Sequence, residues 1–412
     1  MPPVPDVCPE EECAGPWLTK QFLEKALRKG NANPRLAVIS YDVKPAVGKG
    51  DNYCSDLYRL KVHSSDGKES NLIIKKELEE GEFAMVVQKS TVFVREVQMY
   101  STTAIQLHDI LEKAMPGVCE PFAAQYVYSS PGIIVVHDLC AQGFQMAGRR
   151  QGLDLDHCLL VMRTLAHFHA ASVVLQDQNP DSMACYQHNF FSEPATREGL
   201  GKFMSESVRG VAKAVESWPD YGDRYASKLR ALAEEMLDRV IECTQRQDGG
   251  FNVLAHADLW VNNMLFRYSG TPGRSVDGLR FVDFQFLHFT SPAVDLEYFF
   301  NTSLSPDVRR HCMGQLLKEY HRTLCNTLDV LGYAHKKVSL DELKEDCHKH
   351  VIYGVHAACC VLPLVLSEKG VDLDALIGSG DKQASEVYNC QFYKTALQSM
   401  LPYFDEHGAF RS

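Results

Sequence analysis

The 412 residues contain no long run of lysine and arginine, no Cys-x-x-Cys pair and no uninterrupted apolar stretch of membrane-spanning length. Each absence removes a class of function. Lys plus Arg number 42 against 53 Asp plus Glu, a net charge of −11. Affinity for nucleic acid comes largely from clustered cations that release phosphate counterions, so nucleic acid is not an expected partner. The 14 cysteines are scattered, and Cys158, Cys359 and Cys360 fall inside apolar helical text; in a chain this long they read as reduced, mostly buried thiols of a cytoplasmic protein. Cys347, His348 and His350 come nearest to metal-ligand spacing, but without a second ligand pair they read as a helix surface. The longest apolar stretch, 351–366, is interrupted by His356 and Pro363 and falls short of the roughly 20 residues a bilayer demands. The opening MPPVPDVCPEEECAG is acidic and proline-rich with no apolar core, which fits neither a signal nor a transit peptide. A soluble protein with no membrane span and no evident obligate protein partner is expected.

What is present is ordinary globular composition, 45% hydrophobic and 23% charged, in a length that suggests two or three units. After a tail at 1–16, Leu18, Phe22 and Ala26 recur at helical spacing up to Gly30. The period then changes to that of strands from Ala37 to about Lys76, with a turn at Ser65-Asp66-Gly67. A helix follows over about Ser90–His108, then two strands around a Ser-Pro-Gly turn at Ser130–Gly132. Beyond Gly152 the text is mainly helical, starting with a long apolar helix at Leu155 or Asp156, and is broken by one hairpin, NNMLFRY and LRFVDFQF around a loop at 269–278. The expectation is an α+β protein of two lobes: a small β-rich lobe at 17–138 and a larger, mainly helical lobe at 139–412.

The strongest chemical signal is HADLWVNNMLF, which sets His256, Asp258 and Asn263 at H-x-D-x-x-x-x-N spacing just before a strand; Asp283 follows 20 residues after Asn263, on the returning strand. Phosphoryl transfer needs such a set: a carboxylate to orient a nucleophilic hydroxyl, and hard oxygen ligands for Mg²⁺. Asp258 is the candidate catalytic carboxylate, and Asn263 and Asp283 are the candidate metal ligands. In the small lobe Lys75 ends the apolar run Leu72-Ile73-Ile74, where it can reach a nucleotide's phosphates, while alternation turns Lys76 to solvent. Glu96 on the next helix offers Lys75 a counter-charge. The Gly-containing stretch GKGDNYCSDLYRL supplies further candidate nucleotide contacts, Gly48, Gly50, Asn52, Tyr53 and Ser55, since backbone amides in such a turn can wrap phosphate. The joint Val136-His137-Asp138-Leu139 places backbone groups of Asp138 and Leu139 where an adenine edge would lie. His167 and His169 read as packed core residues, and Trp260, two residues past Asp258, as a wall of the acceptor side.

Taken in order, Lys75, Glu96, the joint, H-x-D-x-x-x-x-N and VDFQ resemble the protein kinase-like fold. The stretches GDNYCSDLYRLKV, VFVREVQMY, LAHFHAAS, HADLWVNNMLF, VDFQF with SPAVDLEYFF, and SLDELKEDC resemble the insect ecdysteroid kinase-like family, related to choline and aminoglycoside phosphotransferases. The resemblance implies an ATP- and Mg²⁺-dependent kinase that phosphorylates a hydroxyl of a small-molecule alcohol such as an ecdysteroid. It makes Asp258 the catalytic aspartate, Asn263 and Asp283 magnesium ligands, Lys75 the phosphate lysine, Glu96 its partner, and Asp295 a buried brace of the catalytic loop. Two positions depart from the family pattern: Ala257 stands where glycine is usual, and His137 where a glutamate commonly begins the joint. Ala257 also replaces the arginine of regulated protein kinases, and no Ala-Pro-Glu follows VDFQ. A choline- or aminoglycoside-type kinase and a catalytically silent nucleotide-binding module are the alternatives.

Overall fold

Leu60, Val62, Leu72, Ile74 and Val135 are all buried, and the strands that carry them pair into one antiparallel sheet because their apolar sides must share a cover. The computed structural model describes residues 14–46, 55–78, 88, 90–270, 275–366 and 388–410. In it β1 (Val38–Pro45), β2 (Ser55–Ser64), β3 (Glu69–Glu77), β4 (Tyr126–Ser130) and β5 (Ile133–His137) lie in the order β1-β2-β3-β5-β4. Helix α1 (Lys20–Gly30), capped by the Thr19 side chain, lays Leu23, Ala26 and Leu27 on one face of this sheet. Residues 14–16, assigned to the tail, are part of this packing: Ala14 is buried in the same cluster. Lys76 is not simply solvated, since its ammonium stands 6.0 Å from the Trp17 ring.

The other face of the sheet meets a helix in two parts, α2 (Val92–Gln98) and α3 (Ala104–Ala114), joined by a π-helical turn at Met99–Thr103. The helix therefore runs longer than its sequence pattern suggested. Its buried residues join the core of the larger lobe rather than that of the sheet.

The larger lobe is built on α4 (Leu155–Gln178), α5 (Arg197–Glu216) and α6 (Gly222–Cys243), followed by α7 (Ala293–Thr302), α8 (Pro306–His311), α9 (Met313–Val330), α10 (Leu340–Lys349), α11 (Val351–His356), α12 (Leu362–Leu366) and α13 (Gln391–Glu406). A short strand β6 (Phe144–Met146) pairs with the hairpin β8 (Met264–Ser269) and β9 (Ser275–Phe281), while β7 (Val253–Ala255) pairs with β10 (His288–Thr290). Among the described residues α4 is long and apolar enough to cross a membrane, but most of it is buried in the protein, packed on α9, β7 and β9. Gly152, with φ +68°, lets the chain pass beside Leu304 and Ser305, whose backbone atoms would lie 2.6 Å from any added Cβ.

Two expectations need correction here. Strand β9 ends at Phe281, so Asp283 lies in the turn beyond it with φ +63°. Cys347 and His350 are buried rather than on a helix surface: α10 ends with its last turn facing inward, and His350 Nδ1 lies 3.3 Å from Asp346.

Candidate active site

Register brings the distant residues together. Lys75 on β3 is paired with Leu57 on β2 and Ile134 on β5, and its ammonium is 2.9 Å from Glu96 on α2 and 2.7 Å from Asp283. Met264 is paired with Phe281, and Val282 N–H donates to Asn263 O at 3.0 Å, which sets Asn263 and Asp283 side by side at one end of the hairpin. Asn263 Nδ2 donates to both the backbone and the carboxylate of Asp258, at 2.9 and 2.8 Å. Lys75, Glu96, Asp258, Asn263 and Asp283 all line one cavity of about 580 Å³ between the lobes.

The segment 256–263 is held from below. Asp295, at the N-terminal turn of α7 and fully buried, accepts the backbone N–H groups of His256 at 2.7 Å and Ala257 at 2.6 Å, and lies 3.0 Å from His169 Nε2. Tyr353 donates to Ala257 O at 2.7 Å. These bonds hold Ala257 at φ +61°, a left-handed conformation that costs a residue with a Cβ about 1–2 kcal/mol. The alanine in place of a glycine is thus accommodated at a cost in strain, without loss of the turn. His167 and His169 lie in this scaffold, on Thr327 and on Tyr320 with Asp295.

Electrostatics separate the carboxylates. Burial would lower the Lys75 ammonium, but Asp283 and Glu96 more than offset it, so its pKa is raised and it stays charged. Burial pushes Glu96 up to about 7 against the pull of Lys75. Asp258 is also pushed up to about 7, by burial and then by the negative charge of Asp283, although Tyr298 O–H and Asn263 donate to it. A carboxylate poised there can accept a proton from a hydroxyl. Asp295 moves the other way: its donors outweigh its burial and hold it below the usual range.

A divalent cation fits the donor set. Asn263 uses its Nδ2 on Asp258, which leaves its amide oxygen free of that bond, and Asp283 meets Lys75 through Oδ1 only. An amide oxygen and a carboxylate are the hard donors Mg²⁺ takes, with phosphate and water completing its shell.

The joint departs in part from expectation. The Asp138 amide is committed to Asn71 O at 2.9 Å and its carboxylate to Arg59 at 2.7 Å and to the Cys140 amide at 2.9 Å, so it cannot donate to a base; the Leu139 amide makes no such bond among the described residues. Both residues line the cavity. Ser55 is buried at the start of β2 opposite Glu77 and does not line the described cavity. Gly48, Gly50, Asn52 and Tyr53 lie outside the described residues.

On the far side of Asp258 the lining changes to Phe190, Phe191, Phe203, Met204, Trp260 and Phe286. None of these except Trp260 was legible as a site residue, because Phe190, Phe191, Phe203 and Met204 come from text that reads as ordinary helical core and Phe286 from the end of an apolar strand pattern. Tyr298 was also missed; its signal was the i, i+3 spacing from Asp295, which puts both on one side of α7, one beneath the loop and one on its carboxylate.

A small sheet with a lysine–glutamate pair, a helical lobe carrying an acidic loop, and a cleft between them make this a two-lobed, protein kinase-like α+β fold. The chain belongs to the ecdysteroid kinase-like family, whose pattern matches residues 49–333, and it is accordingly a small-molecule kinase in type. No curated protein matches it. Among solved structures, a choline kinase from Cryptosporidium parvum Iowa II is 11% identical, with 93% of this chain and 97% of that one covered and a TM-score of 0.49. A glucosamine kinase in complex with glucosamine, ADP and inorganic phosphate is 13% identical over 93% and 96% of the chains, with a TM-score of 0.26. At these values neither bears on the substrate.

Proposed function

We propose that the protein transfers the γ-phosphate of ATP to a hydroxyl of a small, largely apolar alcohol of ecdysteroid type. The observation that carries this reading is the continuity of one cavity, charged around Lys75, Asp258 and Asp283 and aromatic beyond Asp258. Asp258 orients the acceptor hydroxyl and takes its proton as the O–P bond forms and the bond from Pγ to the β-phosphate bridging oxygen breaks, releasing ADP. Lys75, fixed by Glu96, neutralises phosphate oxygens, and Leu139 meets the base through its amide. Asn263 and Asp283 would hold Mg²⁺, which when bound neutralises charge on the phosphates. Gly48, Gly50, Asn52 and Tyr53 are proposed to wrap those phosphates.

Among the described residues the aromatic side of the cavity carries no carboxylate, which favours an uncharged acceptor over an aminoglycoside. A cytoplasmic setting belongs to the same proposal, supported by eleven free cysteines among the described residues. The test is mass-spectrometric detection of a phosphorylated product after incubation with MgATP and a panel of ecdysteroids, sterols, choline and aminoglycosides. Phosphate on the steroids is expected; turnover of the amines alone, or no turnover of ATP with any acceptor, refutes the reading.

A further inference from the structure

Five histidines are buried among the described residues: His169, His256, His288, His350 and His356. Four of them make at least one ring hydrogen bond, although His256 Nδ1, His288 Nε2 and His350 Nε2 are buried without a partner; only His356 has neither ring nitrogen bonded among the described residues. His169 meets Tyr320 and Asp295, His256 meets Val282 O, His288 meets Phe286 O, and His350 meets Asp346. His356 is the exception. Its Nδ1 is sealed from solvent with no hydrogen-bond partner, and Nε2 makes no hydrogen bond among the described residues. Buried polar groups are normally paired, because an unpaired one keeps the full cost of its desolvation.

His356 also lines the aromatic end of the cavity. Its ring stands among Phe191 and Tyr353, each at 5.5 Å, and Tyr298 at 6.4 Å. The backbone holds it there. Gly354 lets α11 press on α7, where an added Cβ would fall 2.5 Å from Asn301 and 2.6 Å from Glu297. The π-helical turn Ala357–Val361 that follows brings Cys360 and Val361 to the same wall. Such turns recur at functional sites.

We infer that the acceptor carries a second polar group, a hydroxyl or keto oxygen remote from the hydroxyl that is phosphorylated, and that the imidazole of His356 receives it. This rests on the apolar-acceptor reading above. Burial lowers the His356 pKa to about 4, so the ring is neutral, and Nε2, the nitrogen not sealed from solvent, can serve as N–H donor or as acceptor according to the tautomer. That nitrogen matches an uncharged oxygen function; an anion would need a cation here, and an ammonium group a carboxylate. His356 is thus a specificity residue that distinguishes a polar-substituted steroid from a bare sterol. A site built to hydrogen-bond a substrate group discriminates strongly against the analogue that lacks it.

The experiment compares kcat/KM of the full chain with MgATP for ecdysone and for 22-hydroxycholesterol, which share the side-chain hydroxyl and differ in ring substituents. Wild type is expected to prefer ecdysone. In His356→Phe the ecdysone value should fall about tenfold while the sterol value does not, so that the preference collapses; His356→Asn, which keeps a donor and an acceptor, should retain part of it. Thermal melting establishes that each variant is folded, and if the phenylalanine variant is not, His356→Asn against His356→Leu carries the comparison. Equal losses for both steroids, or an unchanged ratio, overturn the assignment of His356 while leaving the apolar-acceptor reading standing. A wild-type protein that phosphorylates neither steroid overturns both.

Discussion

Asp258 and Asp295 occupy opposite sides of one short segment, 256–263, and burial acts on both, yet they end at opposite electrostatic extremes. On the underside, Asp295 meets two backbone N–H groups and the His169 ring and sits at a helix N-terminus, so its ionised form is favoured. On the cleft side, burial and the negative charge of Asp283 outweigh the donors Tyr298, Asn263 and Trp260, so Asp258 is pushed up to about 7. The difference lies in the neighbours rather than in depth. One carboxylate is arranged as a brace held in its ionised form, the other is held by its surroundings at a pKa near neutrality.

The sharpest way to break this comparison is to neutralise each member. Asp258→Asn should lower kcat by roughly 10²- to 10⁴-fold with nucleotide binding largely intact; steady-state kinetics beside calorimetry of nucleotide binding checks both halves, and full turnover refutes the role. Asp295→Ala should instead act on the fold, because it leaves two buried amides and the Nε2 of His169 unpartnered, at a cost of about 3–5 kcal/mol. Denaturant unfolding measures this, and a loss under about 1 kcal/mol would show that the underside is not a brace.

Tyr298→Phe removes one donor from Asp258 and spares Asp295. Its hydrogen bond to a carboxylate is worth about 1.5–3 kcal/mol, so the acid limb of the pH profile of kcat/KM should move up by about one unit, with a roughly tenfold loss of rate at neutral pH; a limb that stays in place contradicts the assignment.

Stability should depend on pH with opposite signs from the two residues. The Asp258 pKa is raised in the folded state, so that state binds its proton more tightly than the unfolded chain does. In the metal-free protein its contribution is therefore full below pH about 4 and is lost as pH rises to about 7. The Asp295 pKa is lowered, so its contribution is present above pH about 4 and is lost as pH falls below that. Thermal melts of Asp258→Asn should show a flatter decline between pH 4 and 7 than wild type, and equal slopes would exclude Asp258 as the titrating group. The smallest effect is expected from Ala257→Gly, which relieves the positive φ but adds unfolded-state entropy, for a net gain of up to about 1 kcal/mol.

Much of the charged side of the cavity was legible because its residues are bound to short-range patterns. H-x-D-x-x-x-x-N precedes a strand, Lys75 ends an apolar run, and Glu96 lies on the next helix; each reading needs only local periodicity. Legibility failed where local text has no preferred partner. Ser55 sits in a polar turn sequence but is buried on β2 opposite Glu77. Asp138 had the right position, but its backbone amide is committed to Asn71 O, from a strand far earlier in the chain. Asp283 read as a strand residue although the chain turns out of β9 just before it. The aromatic wall was hidden altogether, since Phe190, Phe203 and His356 come from separate stretches whose apolar periodicity equally describes a plain core.

The sequence by itself determined the two-lobed α+β plan, the sheet with its lysine, and the loop with its carboxylate, because hydrophobic period, turn residues and motif spacing act over a few residues at a time. Tertiary structure alone decided which carboxylate is braced and which is poised, and which apolar side chains are core and which are cavity wall. Those properties depend on the charges, donors and empty space that distant segments bring within a few ångströms, and no local pattern encodes them.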